Sequence, residues 1–471
     1  MNAQELLQEI SAYCRETGLA ESTFGRRAVN DGKLAARLRN GGRITTETLD
    51  RIRSFMQANR VPPDLRAGLL LRANGTVRGN GAVARMPLPP RAVPSEASPQ
   101  RHFRFFDNRQ KYLLFVHTCS EKRVVAQRVA LELAGLAPRP PAMRLFDAGV
   151  GDGTVLARVM RAMHDRFPTM PFFVVGKEIS LEDVRLTLQK MPDRLFEHPA
   201  QVLVLTNLAY ADAPWLGART PALDGRLVWH ELALAGNSAH RFEEQIAGLE
   251  PFLAENWNAG IDPRTGTPAF DRPVVLVIYR EDHRFLLDRV IPRPGEAAAD
   301  YDLVIASQPY RARAPLAFKA RRVIVPLARA LGPGGRLIAI HSYGHDPGQE
   351  IVQRVWPGDD PFVHDRHDIL RAVKEELGPE GRDLVFNAFA DNRALFRYDM
   401  HALPGELADT IGTSTLFAAW NAAVYVAQVE DDRLAAVVAD GRYLDATREV
   451  LQQHGGLWFH DESYVISRRR Q

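Results

Sequence analysis

The sequence predicts an α/β protein built on a doubly wound parallel sheet, preceded by a small all-α unit. Three observations carry this. From Arg144 onward, apolar strand-like runs alternate with helix-patterned segments, which implies a parallel sheet with helices on both faces. The bend Asp147-Ala148-Gly149-Val150-Gly151-Asp152-Gly153 joins the first such strand to its helix, and its glycines let the backbone turn sharply and approach a ligand. Residues 1–60, by contrast, hold only short helical patterns.

In the front unit, Glu5–Thr17 has Leu6, Leu7, Ile10 and Tyr13 at helical spacing and stops at Gly18. Glu21–Ala28 and Lys33–Arg39 read as short helices around Asn30-Asp31-Gly32, and Thr46–Met56 as a fourth. Residues 61–100 are rich in proline and glycine and read as a linker. His102–Leu136 turns helical, with Phe115, Val116, Val124, Val125, Val129 and Leu133 on one apolar face. The body, 101–471, then offers strands at Arg144–Asp147, Phe172–Gly176, Val202–Thr206, Asp302–Ala306 and, after the turn 332–335, at 336–341. Leu395–Leu403 and Leu457–Ile466 complete a sheet of about seven strands. Helices read at Thr154–Arg166, Leu181–Lys190, Lys319–Leu331 and Asp368–Leu377. Two insertions stand out. Residues 224–293 carry a helical stretch near His240–Asn256 and an expected hairpin, Val274–Tyr279 with Phe285–Ile291. Residues 404–455 carry helical runs at Leu416–Val429 and Tyr443–Gln453.

The length of 471 residues suffices for two or three domains. Hydrophobic residues at 45% and charged residues at 25% fit a soluble globular chain, with no apolar run long enough to cross a bilayer. Met1-Asn2-Ala3-Gln4-Glu5 is no secretion signal, and two cysteines, Cys14 and Cys119, exclude a disulfide framework or a cysteine zinc cage. A cytoplasmic protein is expected. Residues 1–110 hold 18 Lys+Arg against 10 Asp+Glu, so the front is basic and the body mildly acidic. Only the front is suited to an anionic partner.

The glycines at 149, 151 and 153 fall at every second position. The nicotinamide fingerprint expects Gly-x-Gly-x-x-Gly instead, and a carboxylate at Asp147 repels a pyrophosphate while suiting an ammonium and a sulfonium. The run resembles motif I of the class I S-adenosylmethionine (SAM)-dependent methyltransferases, Asp/Glu-x-Gly-x-Gly-x-Gly. Two further segments resemble that family in the right order. Glu178 ends the second strand, and Leu331-Gly332-Pro333-Gly334-Gly335-Arg336-Leu337 matches its Leu-x-Pro-Gly-Gly-x-Leu turn. The resemblance implies a Rossmann-like fold, SAM as cofactor and methyl transfer as the reaction. Under it, Asp147, Gly149, Gly151, Gly153 and Ser307 line the cofactor and Glu178 takes the ribose hydroxyls. Asn207, after the third strand, either reads the adenine amino group or is a turn amide.

Ser307-Gln308-Pro309-Tyr310 is similar to the Asn/Asp/Ser-Pro-Pro-Tyr motif of amino-group methyltransferases, with Gln308 in place of the first proline. The resemblance sets Tyr310 beside the methyl acceptor. His341-Ser342-Tyr343-Gly344-His345 follows the fifth strand, where such sheets bind ligands. His341 or His345 is suited to take the acceptor's proton, and Tyr343 to orient the acceptor. His364 and His367 read as loop histidines rather than metal ligands, lacking a defined third ligand. Phe105, Phe106 and Tyr112 either cover the cofactor or pack in the core.

Leu19–Ala28 with Leu34–Gly41 looks like the helix-turn-helix of phage-repressor-type proteins. There Arg26, Arg27, Lys33, Arg37, Arg39 and Arg43 would meet DNA phosphates; the plain alternative is a charged face on a protein-interaction module. The leading reading is a methyltransferase acting on a small-molecule acceptor. The alternatives are methylation of nucleic acid or protein, and a DNA-binding regulator that uses the SAM fold as a sensor.

Overall fold

The computed structural model describes residues 3–17, 21–29, 31, 33–39, 46–58, 109–217, 225–261, 268–402, 404–407, 411–438 and 441–470. Two compact units, Met1–Glu96 and Ala97–Gln471, divide the chain. The expected linker residues, Arg43, Phe105 and Phe106 lie outside the described residues.

Among the described residues the first unit holds four helices, α1 (Ala3–Thr17), α2 (Glu21–Val29), α3 (Leu34–Arg39) and α4 (Thr46–Ala58). The apolar spacing seen in the sequence buries Leu6, Ile10, Phe24, Leu34, Leu38 and Ile52 together. Phe24 is the hub of an edge-on aromatic cluster with Tyr13 and Phe55. Gly25 is required here: the Asp31 carbonyl oxygen lies 2.2 Å from where its Cβ would be, so the turn after α2 folds back onto bare backbone.

Among its described residues the second unit has twelve strands. They are β1 (Met143–Asp147), β2 (Phe172–Lys177), β3 (Gln201–Thr206), β4 (Val228–Leu234), β5 (Ala259–Ile261), β6 (Pro268–Phe270), β7 (Val274–Arg280), β8 (Tyr301–Ser307), β9 (Leu331–Ser342), β10 (Leu384–Asn387), β11 (Leu395–Asp399) and β12 (Trp458–Arg468). The main sheet runs β10-β12-β9-β8-β1-β2-β3-β7-β4, with β11 also pairing β12, while β5 and β6 form a separate ribbon. β1, β2, β3, β8 and β9 are mutually parallel, and β12 runs antiparallel to β9. This is the Rossmann-like, doubly wound α/β fold. The strand order reverses at β1, and ligands of open α/β sheets bind outside the carboxyl ends at such a point.

Alternation along the strands feeds two cores. Phe146, Val175, Val204, Val304 and Ala339 face one layer, and Leu145, Val174, Leu203, Ile305 and Ile338 face the other. Helices of the 404–455 segment form a third cluster, in which Trp420, Tyr425 and Leu451 pack with Tyr112 and Phe115 of the helix Arg109–Thr118.

Among the described residues the sheet has ten strands rather than about seven, because the 224–293 segment returns two strands to it and β10 adds a third beside β12. β7 pairs antiparallel with β3, and β4 pairs parallel with β7. The expected hairpin partner Phe285–Ile291 is therefore not a strand. Both edges of β7 are taken, and Glu281–His283 and Arg284–Leu287 are short helical turns instead. The expected helix Lys319–Leu331 is also interrupted. A widened π turn spans Lys319–Ile324 before the α-turn Val325–Arg329. Pro326 cannot donate to the helical ladder, which loosens the turn before it.

Candidate functional site

The glycine bend lies at the crest where β1, β2 and β8 end. Ala148 N–H donates to the Ile305 carbonyl (2.8 Å) and Val150 N–H to the Lys177 carbonyl (3.0 Å), tying the bend to both neighbouring strands. Gly151 (φ 55°) and Gly153 (φ 78°) occupy the left-handed region. A Cβ on Gly153 would lie 2.8 Å from the Thr187 Cα, so only glycine lets the helix Leu181–Gln189 approach this closely. Thr187 Oγ1 donates to the Gly151 carbonyl (2.9 Å) and Lys190 Nζ to the Asp152 carbonyl (2.6 Å). From the other side, Asp152 N–H donates to the Tyr112 hydroxyl (3.1 Å), which supports the bend from the preceding helix.

Glu178 meets this bend directly. Its Oε2 accepts from Gly151 N (2.9 Å), and its Oε1 accepts from Ile179 N (2.8 Å) and Ser180 N (2.9 Å). Trp257 of the 224–293 segment donates its indole N–H to the Glu178 carbonyl (3.1 Å). Gly149 is exposed at the crest. A side chain there would have only the Ser307 carbonyl within 4 Å, at 4.0 Å. Asp147, Gly149, Gly151, Glu178 and Ser307 thus gather around one open stretch of backbone. Asp147 is buried and accepts from Gly149 N (3.2 Å). Burial pushes its carboxyl up to about 7.

Asn207 is buried, and its side-chain amide is bonded to backbone. Its amide donates to the Arg272 carbonyl (2.8 Å) and accepts from Val274 N (2.8 Å). Both of its polar atoms are engaged in continuing the β3–β7 ladder one step past the strand end.

A second cluster lies at the carboxyl ends of β8 and β9. A small pocket is lined by Gln308, Tyr310, Ala312, Lys319, His341, Ser342, Phe362 and His364. Gln308 has φ 47°, a conformation sparsely populated by non-glycine residues. It is held by its N–H on the Ile340 carbonyl (2.8 Å) and by its side-chain amide on both Asp461 oxygens (3.3 Å each). Behind the pocket runs a buried chain. Tyr310 Oη is 2.6 Å from His341 Nδ1, and His341 Nε2 is 2.6 Å from Glu462 Oε1. Glu462 also accepts from Arg366 N (2.7 Å) and Nη1 (2.9 Å). Burial, reinforced by the Lys319 charge, lowers His341 to about 3, so its ring is neutral. Burial lifts Glu462 to about 7 even beside the Arg366 guanidinium. Lys319 falls to about 8, again through desolvation.

The structure joins Tyr310 and His341 but leaves the other two residues of the expected set apart. Tyr343 and His345 are not among the pocket-lining residues. Tyr343 N–H bonds the His460 carbonyl (2.8 Å), and its ring packs 5.1 Å from that of His345, which is exposed. The turn at Gly344 (φ 78°) carries the chain away from the pocket directly after β9. Lys319, Arg366 and Glu462 escaped sequence reasoning, since each reaches the site from a separate segment with no local motif.

In the first unit, Arg37 pairs with Asp31 (2.9 Å) and Arg39 with Glu21. These pairs are half exposed, of the kind worth about 0–1 kcal/mol, and no DNA contact is shown. No helix among the described residues is long and apolar enough to cross a membrane.

No protein-family model and no curated protein matches the chain. Among solved structures it is similar to a geranyl diphosphate methyltransferase in complex with GPP and sinefungin, at 14% identity. That likeness covers 73% of this chain and 77% of the other, with a TM-score of 0.28. A putative sarcosine dimethylglycine methyltransferase from Galdieria sulphuraria is similar at 8% identity, covering 74% and 85%, with a TM-score of 0.30. PKMT2 from Rickettsia typhi in complex with AdoHcy is similar at 10% identity, covering 74% and 53%, with a TM-score of 0.26. Likenesses of this extent carry no argument about function, which rests on the site's own geometry.

Proposed function

We propose that the chain is a SAM-dependent methyltransferase acting on a small-molecule acceptor. The observation that carries this is the meeting of the glycine bend and Glu178, 27 residues apart in sequence, at the exposed crest beside Gly149. The residues fit the cofactor. The Glu178 carboxylate is already oriented by three N–H donors, with one lone pair on Oε2 remaining for a ribose hydroxyl. Asp147 offers a buried carboxyl to an ammonium, and the bare backbone at Gly149 admits close approach. SAM, when bound, supplies an electrophilic methyl carbon on a sulfonium that leaves as a neutral thioether.

The chain's own part is alignment, exclusion of water and removal of the acceptor's proton. The pocket begins at Gln308, one residue past the Ser307 carbonyl that faces the glycine bend. An acceptor there lies beside the crest. Tyr310 and His341 of the buried chain both line the pocket, and the Tyr310 hydroxyl meets His341 Nδ1. A proton taken up by the Tyr310 oxygen releases the phenolic proton to His341 Nδ1, and His341 Nε2–H passes to Glu462. The imidazole is neutral before and after, as its low pKa requires. Glu462, lifted to about 7, is the terminus that holds the proton.

Calorimetry with S-adenosylhomocysteine tests the cofactor reading: saturable heat supports it, and none from folded protein overturns it. Labelled-SAM turnover over a panel of small acceptors separates an enzyme from a sensor. Asp147 adds a signature. Its native pKa of about 7 lies above the ordinary 3.8, so the native state retains a proton that the unfolded state loses. That stabilising contribution is complete below pH ~4 and is lost as pH rises through 7. An ammonium bound beside it lowers the pKa and expels the proton. Binding of S-adenosylhomocysteine at pH 7 should therefore release a fraction of a proton, read as a dependence of heat on buffer ionisation enthalpy. Asp147→Asn should abolish that dependence; an unchanged dependence assigns the proton elsewhere.

A further inference from the structure

We propose that the pocket at the ends of β8 and β9 binds a small organic anion, carboxylate or phosphate, on the Lys319 ammonium, and that this anion is the anchoring group of the methyl acceptor. The second half rests on the methyltransferase reading above; the anion site itself does not.

The residue lining sets the chemistry. Gln308, Tyr310, Ala312, Lys319, His341, Ser342, Phe362 and His364 include one ammonium and two imidazoles but no carboxylate. Lys319 is 2% exposed, and its Nζ has one hydrogen-bond acceptor, the Ala312 carbonyl at 2.7 Å. No carboxylate among the described residues lies within ion-pair distance of it. Glu462, the acid whose field reaches it, is engaged by Arg366 and His341. The Tyr310 ring face, 5.2 Å away, is its other electron-rich neighbour. Burying an ammonium without a counter-ion costs several kcal/mol, and a carbonyl contact alone does not offset that.

The backbone around Lys319 is specialised as well. Lys319 opens the π turn that precedes Pro326, and such wide turns recur at functional sites. The charge also acts on its neighbours: both His341 and His364 are held below the ordinary histidine range, in part by the Lys319 charge. The pocket is thus electropositive with two unused ammonium donors, which suits an anionic oxygen pair. A neutral ligand would leave the lysine as costly as before.

Saturation-transfer NMR on the full chain tests this with acetate and with acetamide as its uncharged counterpart, at about 100 mM for a millimolar-class site. Phosphate is read in parallel by 31P line broadening. Acetate or phosphate is expected to give a signal that falls at least fivefold in Lys319→Met and in Lys319→Gln, and persists in Lys319→Arg, while acetamide gives little in any of them. Acetate stronger than phosphate assigns a carboxylate-bearing acceptor; the reverse assigns a phosphorylated one. An equal anion signal in wild type and Lys319→Met, or no signal from either anion in wild type, overturns the proposal. S-adenosylhomocysteine calorimetry on the same samples keeps the two readings apart. Unchanged cofactor heat in Lys319→Met shows that the variant is folded. An intact anion signal with no cofactor heat in any sample removes the acceptor role and leaves the anion site.

Discussion

Replacing Arg366 with methionine is expected to destabilise the second unit by about 3–5 kcal/mol, the usual cost of removing one partner of a buried ion pair. Arg366 and Glu462 are 3% and 1% exposed. The guanidinium donates to Glu462 Oε2 (2.9 Å) and to the Ala388 carbonyl (2.8 Å), and it also meets Asp391. Without it, Glu462 keeps the Arg366 backbone N–H and the His341 ring as partners but loses its buried countercharge. The penalty has a pH signature. Glu462 already titrates near 7 because of burial, and losing the cation raises it further. The neutral acid then forms in acid solution, so the deficit should shrink below pH ~6 and grow as pH rises through 7. Denaturant midpoints of the two chains at pH 6 and pH 8 check this. A loss under about 1 kcal/mol, or one equal at both pH values, would show that the pair is not the structural centre described above.

Glu178→Ala should weaken S-adenosylhomocysteine by about 1.5–3 kcal/mol, the range for hydrogen bonds to a charged acceptor. The variant also deprives Gly151, Ile179 and Ser180 of their acceptor, so the bend loses its support together with the ribose ligand. Glu178→Gln retains one acceptor oxygen and should lose less. The ordering wild type, Gln, Ala in calorimetric affinity is the check. Equal affinities would detach the carboxylate from the cofactor.

What could be read in advance was local. The bend at 147–153 is a statement about backbone freedom, and its strand and helix follow from neighbouring residues. Glu178 was legible because parallel strands with short returns bring their carboxyl ends to one crest. The remainder depends on pairings across long separations. Asn207 left two readings open in the sequence, and its backbone partners, Arg272 and Val274, lie 65 and 67 residues on. Glu462 pairs with Arg366 across 96 residues and with His341 across 121, and nothing beside any of the three announces the others. Phe285–Ile291 has strand-like composition, but β7, its expected partner, has both edges taken. Tyr343 and His345 share a segment with His341 and still stand outside the pocket it lines, Tyr343 just past the end of β9 and His345 beyond the Gly344 turn.

Consecutive residues of β12 serve opposite sides of the sheet. Asp461 stands against Ser342 and secures Gln308, while Glu462 stands against His341 and receives Arg366. A shift of that strand by a single position exchanges the two acids between faces. The shorter carboxylate then confronts the imidazole and the longer one crowds the glutamine, so neither set of partners is met. Alignment of the sheet and the hydrogen-bonded chain from Tyr310 through His341 to Glu462 are therefore decided by the same pair of side chains.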